Sequence, residues 1–177
     1  HQPRRQRQMC IRDRYYMKEE NIRNDIIQAS ISSSNLDQSV IIFNKAKNLS
    51  KIINKQNGID IISSYKRASN ILESELKKDK IELSNTTDPG IFKTELEKNL
   101  FKKINELRKY FSSINNDENF VQTLDNLASI KREVFDFFDN VIVNEDDLVI
   151  KKNRLELIQM MCKTFDNYVN FSLIESN

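Results

Sequence analysis

Apolar residues recur every three or four positions along most of this chain, the spacing of amphipathic helices. Ile22, Ile26, Ile27 and Ile31 predict a first helix from Tyr16 to about Ser33, broken by Ser32-Ser33-Ser34-Asn35. Val40, Phe43, Ala46, Leu49, Ile52 and Ile53 predict a second, reaching about Lys55, with Gly58 as a left-handed stop. Ile62, Tyr65, Ala68, Ile71, Leu72 and Leu76 line a third, starting near Ile59-Asp60, and Lys77 to Thr87 reads as a polar linker. Asp88 and Pro89 have the form of an N-cap and first helical residue. A fourth helix then runs to about Ile114 through Phe92, Leu96, Leu100, Ile104, Leu107 and Phe111. After a turn at Asn115-Asn116-Asp117, a fifth carries Phe120, Leu124, Leu127, Ile130, Val134 and Phe138, forming an antiparallel hairpin with the fourth. Val141, Ile142 and Val143 suit an extended segment. Asp146 or Asp147 then caps a sixth helix that buries Ile150, Leu155, Ile158, Met161, Phe165 and Tyr168 or Val169.

The expected fold class is therefore all-α, an antiparallel bundle of about six helices. Only two Gly and two Pro in 177 residues support long helices over a turn-rich sheet fold. No apolar run approaches the roughly eighteen residues of a membrane span. No secretory signal is visible, and two Cys make no disulfide framework, so a cytoplasmic setting is expected.

The formal charge of +2 conceals an asymmetry. Residues 1–14 hold five of the ten Arg and one acid; the remainder has 23 basic and 25 acidic side chains, a net of −2. Any RNA contact must then come from a local patch. Arg5 to Arg14 resembles a translated sequencing-adapter read-through, the alternative being a basic RNA-binding arm. Residues 1–15 are accordingly expected to be a non-native, disordered leader, and the chain a fragment of a longer protein. Residues 16–86 are expected to form N-terminal helices of a tRNA-binding region, and 87–177 a C-terminal bundle.

Catalytic residue types are scarce. His1 is the only His, so no His-based triad or general base is available beyond the leader. Two Gly give no phosphate-cradling loop, and Cys162 sits in an apolar helix as a structural thiol. Glu145-Asp146-Asp147 is explained by capping, and no catalytic or metal residue is expected. What remains are helix-borne cations near aromatic residues: Lys66, Arg67, Arg108, Lys131, Arg132, Lys151, Lys152 and Arg154. Such groups hold phosphates of single-stranded RNA loops, but they also decorate ordinary solvated helix faces.

Three segments decide between these readings. Phe135-Asp136-Phe137-Phe138-Asp139-Asn140-Val141-Ile142-Val143, followed by Asp146-Asp147 and Lys151-Lys152-Asn153-Arg154-Leu155, resembles the C-terminal end of bacterial glycyl-tRNA synthetase beta subunits. Tyr65-Lys66-Arg67-Ala68-Ser69-Asn70-Ile71-Leu72 resembles that family's upstream basic motif, and Asn170-Phe171-Ser172-Leu173-Ile174 its ending. The resemblance covers about residues 16–177. It implies a helical anticodon-binding domain of the type named for an Asp-Ala-Leu-Arg (DALR) signature, here Leu148-Val149-Ile150-Lys151. Lys151 keeps the signature's charge but not the bidentate fork of Arg. Asn153 and Arg154 match the pattern directly, and Arg154 either touches RNA or pairs with an acid inside the bundle. The implied tRNA-binding set is Lys66, Arg67, Lys131, Arg132, Lys151, Lys152, Asn153 and Arg154. The implied whole enzyme is an alpha–beta assembly, with a second beta subunit, that joins glycine to its tRNA. ATP and Mg²⁺ would be held by the alpha subunit, with no cofactor in this fragment and no DNA or membrane partner. The competing expectation is a helical scaffold or oligomerisation module that meets only protein.

Overall fold

The computed structural model describes residues 4–33, 38–114 and 119–175, with side chains from residue 11 onward. Among these residues there are eight α-helices and no strand. They are α1 (Arg4–Glu19), α2 (Asn24–Ser32), α3 (Ser39–Ile52), α4 (Gln56–Asp79), α5 (Glu95–Ser113), α6 (Phe120–Ala128), α7 (Lys131–Asn140) and α8 (Leu148–Phe165). Short 3-10 turns occupy Pro89–Ile91 and Phe171–Leu173. The all-α expectation is met. Among the described residues no helix is long and apolar enough to cross a membrane.

Several boundaries differ from the sequence expectation, each for a local reason. Of the expected leader, residues 4–15 lie in α1, which spans Arg4–Glu19. The predicted first helix breaks instead at Glu20–Arg23. Asn21 there takes a left-handed φ of 57°, and the Ile22 amide closes the turn on the Met17 carbonyl at 3.2 Å. Gly58 is not a stop: it lies inside the first turn of α4, and no glycine has positive φ. A Cβ on Gly58 would sit 2.1 Å from the Ile52 carbonyl oxygen and 2.6 Å from the Ile53 Cα. Glycine is needed for close backbone approach where α3 turns into α4.

Asp88 and Pro89 start only a 3-10 turn. The fourth predicted helix begins six residues later, at Glu95, with a capping box. The Thr94 hydroxyl accepts from the Glu97 amide at 3.2 Å, and Glu97 Oε2 accepts from the Thr94 amide at 2.8 Å. The fifth predicted helix is two, α6 and α7, bent at Ser129-Ile130. The Ser129 hydroxyl donates to the Asn126 carbonyl at 2.7 Å, and Ile130 is fully buried at the bend. The expected turns at Ser34-Asn35 and Asn115–Asp117 lie outside the described residues.

One hydrophobic core runs from Met17 to Ile174 and draws on all eight helices. α8 lies at its centre, against α4 on one side and α5 on the other, while α7 packs on α4 and α5. Its burial is wider than the single stripe expected, since Leu155, Leu157, Ile158, Met161, Cys162 and Phe165 are all inside. Phe165, Phe171, Tyr168 and Tyr65 pack ring on ring, with centroids 5.7–6.4 Å apart. The Tyr168 hydroxyl donates to the Lys45 carbonyl at 3.1 Å, tying the chain's end to α3.

Helix propensity alone favours Gly58→Ala by about 1 kcal/mol. The backbone contact predicts the opposite, a loss of about 1–3 kcal/mol from overpacking. Urea unfolding of the two proteins separates these, and a stabilised variant would refute the close approach.

Candidate RNA-binding surface

The first turns of α8 carry three polar residues of the expected RNA-contacting set, Lys151, Asn153 and Arg154, and all three are buried. Asp147 caps the helix, its Oδ1 accepting from the Val149 amide at 2.9 Å and the Ile150 amide at 3.3 Å. One turn later Lys151 is 2% exposed. Its ammonium reaches Glu75 Oε2 at 2.9 Å, Asn144 Oδ1 at 2.6 Å and Asp79. Arg154 is 4% exposed. Its Nε donates to Glu97 Oε1 at 2.9 Å, and its Nη1 to the Ile142 carbonyl at 2.7 Å and Glu145 Oε2 at 3.2 Å. Asn153 forms a two-way clamp, accepting from the Asp88 amide at 2.8 Å and donating to the Asp88 carbonyl at 3.0 Å. Glu156 accepts from the Ser84 amide at 2.8 Å. The predicted linker is thus stitched to α8 at both positions.

These pairs set the local electrostatics. Burial is the largest influence on Glu97 and pushes its carboxyl up. Hydrogen bonds from Arg154, then from Thr94 and the Lys93 and Thr94 amides, outweigh it and hold the group below its ordinary value. Glu75 is held down by hydrogen bonds from Lys78 and then Lys151. Lys151 is held up by hydrogen bonds to Asp79 and then Glu75, against its burial.

Lys151, Asn153 and Arg154 are therefore removed from the expected RNA-contacting set. Each is hydrogen-bonded inside the bundle, and each is buried from any macromolecule outside. The alternative that Arg154 pairs with an acid is the one observed. Of the other five positions, Arg67 and Lys131 share the Phe135 ring, with Arg67 Cζ 5.0 Å and Lys131 Nζ 5.7 Å from its centroid. Lys66 is half-buried on α4, 3.4 Å from the Ser172 carbonyl. Arg67 pairs with Asp139 at 2.5 Å and lies over the rings of Phe135 and Phe138, 5.0 and 5.4 Å from their centroids. Lys131 pairs with Asp60 at 2.6 Å. Lys152 is half-buried with no ion pair among the described residues, and Arg132 is exposed on α7.

α5 presents a run of cations to solvent. Lys98, Lys102, Arg108 and Lys109 are exposed there, with Lys103 partly so, against the exposed acids Glu95 and Glu106. Lys98, Lys102 and Lys109 share one helix face, opposite Leu100, Ile104 and Leu107. That spacing was present in the chain, but adjacency to aromatic residues favoured other cations. Lys102, Lys103 and Arg132 meet across a groove between α5 and α7, with a cavity of about 320 Å³. Among the described residues no group of three or more His, Cys, Asp or Glu is placed to hold a metal ion. Cys162 is buried, its thiol pushed up to about 12 by burial and by Asp166.

Residues 61–175 match the model of the DALR anticodon binding domain. The chain belongs to that family. The match opens within α4 and closes after the second 3-10 turn, so this DALR domain includes α4, which the sequence division at residue 87 had set apart. The chain is also similar to three curated proteins named glycine--tRNA ligase beta subunit. Identity is 31% over 162 residues with that of Rickettsia peacockii, covering 91% of this chain. It is 28% over 160 residues with that of Paracoccus denitrificans and 27% over 160 with that of Cereibacter sphaeroides, each covering 90% of this chain. In all three the chain spans 23% of the relative's length.

Removing one partner of the Arg154–Glu97 pair leaves a charge buried alone. Arg154→Ala is expected to lower unfolding stability in urea by about 3–5 kcal/mol. The Glu97 contribution is present above the ordinary carboxylate value of about 4.3 and is lost as pH falls through the lower folded value. The stability gap between the two proteins should therefore shrink below about pH 4. A gap that is constant with pH would dissociate Arg154 from Glu97.

Proposed function

We propose that the chain grips the anticodon arm of a tRNA through the exposed cations of α5, with Arg132 of α7 beside them. The single observation that carries this reading is the match of residues 61–175 to an anticodon-binding family. The α5 face supports it, because backbone phosphates are bound by accessible cations and not by those already paired in a core. The proposal extends to the setting named for the relatives. Within a glycine--tRNA ligase beta subunit, in the cytoplasm, the domain would hold glycine tRNA while a partner alpha subunit attaches glycine with ATP and Mg²⁺. The sequence holds no glycine-rich phosphate loop, and among the described residues no cluster of carboxylates is placed for a metal. The domain's contribution is to bind and orient RNA.

One observation favours a second reading, a module that meets protein. Ile142, Leu148 and Val149, at and just before the start of α8, are 70%, 66% and 61% exposed. A stable protein complex with no tRNA affinity would support it.

The test is a titration of the chain with glycine tRNA at two salt concentrations. Replacing Lys98, Lys102, Lys109 and Arg132 together by Gln should weaken binding. It should also flatten the log affinity–log salt slope by about 0.7–0.9 per lost phosphate contact. The same treatment of Lys66 and Arg67 should change little. Affinity unmoved by the four substitutions on α5 and α7 would sink this surface.

A further inference from the structure

The groove between α5 and α7 differs in character from the rest of the α5 face. Its charged lining is balanced: Lys102, Lys103 and Arg132 stand against Glu106, Glu133 and Asp136. A balanced groove is a poor sink for a phosphate, which needs cations alone. The charges are close but not committed to one another. Lys103 and Glu106 are 3.8 Å apart, and Arg132 and Asp136 are 3.6 Å apart. Both distances exceed hydrogen-bond reach of about 3.2 Å. Lys102 has no ion pair among the described residues, and Glu133 Oε2 is shielded from solvent with no hydrogen-bond donor. An unsatisfied shielded carboxylate oxygen calls for an explanation, and a donor arriving from outside supplies one.

Resting on the anticodon-arm reading, we infer that this groove takes one unstacked base of the RNA loop and reads its edge. The cavity of about 320 Å³ lies at the lower end of small-ligand sites. Carboxylates accept from an exocyclic amino group, while Arg and Lys donate to a carbonyl oxygen or ring nitrogen. Side by side they select a base that presents an amino group and a carbonyl on one edge. Cytosine and guanine do so; uracil lacks the amino group and adenine the carbonyl. Glu133 is the amino acceptor and Arg132 the donor to the carbonyl; both determine specificity, and Arg132 does so in addition to the charge it brings to the surface. Loop bases in RNA are splayed out and read on these edges by such side chains.

The experiment titrates the whole chain with anticodon stem–loop RNAs in which each loop position is varied through all four bases. At one position cytosine or guanine should bind about tenfold tighter than uracil or adenine, the discrimination of one good paired contact. The four arms show which of the two bases is preferred. Glu133→Gln and Arg132→Gln should each abolish that preference, with the Glu133→Gln salt slope unchanged because it touches no phosphate. The Arg132 side chain is 86% exposed and its ion pair with Asp136 is long, at 3.6 Å, so its variant keeps the fold even if Glu133→Gln does not. Base preference intact in the Arg132 variant, or no preference in the native chain, overturns the inference and leaves the anticodon-arm reading standing. No binding to any stem–loop overturns both.

Discussion

A single carboxylate, Glu97, joins the two halves of this bundle. Its Oε2 caps α5 by accepting from the Lys93 and Thr94 amides, and its Oε1 receives the Arg154 guanidinium at 2.9 Å. The helix start and the buried ion pair are one arrangement. Charges this deeply buried persist only when every partner is in place, because each alone would carry a large desolvation cost. The axial placement of α8, the position of α5 and the course of residues 141–147 are therefore mutually dependent. Lys151 does the same for α4 through Glu75 and Asp79, and Asn153 with Glu156 for the segment between α4 and α5.

This use of α8 decides where RNA can be met. A cation that neutralises buried acids is not available to release counterions from a phosphate backbone. The weakening of the family signature at Lys151 then has a structural meaning. An ammonium hydrogen-bonds Asp79 and Asn144 and pairs with Glu75, without the planar fork that phosphate recognition would favour. Phe135 and Phe138 are likewise occupied, carrying Arg67 over their faces and packing between α4 and α7. α5 keeps its cations accessible, because its inner face is held by Leu100, Ile104 and Leu107 and its outer face is left to solvent.

Much of the fold was legible from periodicity. Leucine and isoleucine spacing located every described helix from α2 onward, because burial on one face imposes that spacing directly. The misplacements were all at termini and bends. Thr94 prevailed over Asp88 as a helix start because its capping box is completed by Glu97. Gly58 was read as a stop when its role is contact between backbones. The α6–α7 bend carries no Pro or Gly and follows from Ser129 bonding back to Asn126.

The chain's own residue order determined that this is an all-helical bundle related to anticodon-binding domains, since apolar period and short motifs are local properties. It did not determine which cations of those motifs face outward. Lys151 and Arg154 stand 72 and 57 positions from the acids Asp79 and Glu97 that bind them, and nothing local distinguishes them from Lys152. Only the packing of α8 against α4 and α5 brings those acids within reach, turning expected RNA contacts into the polar core while the cations of α5 stay exposed.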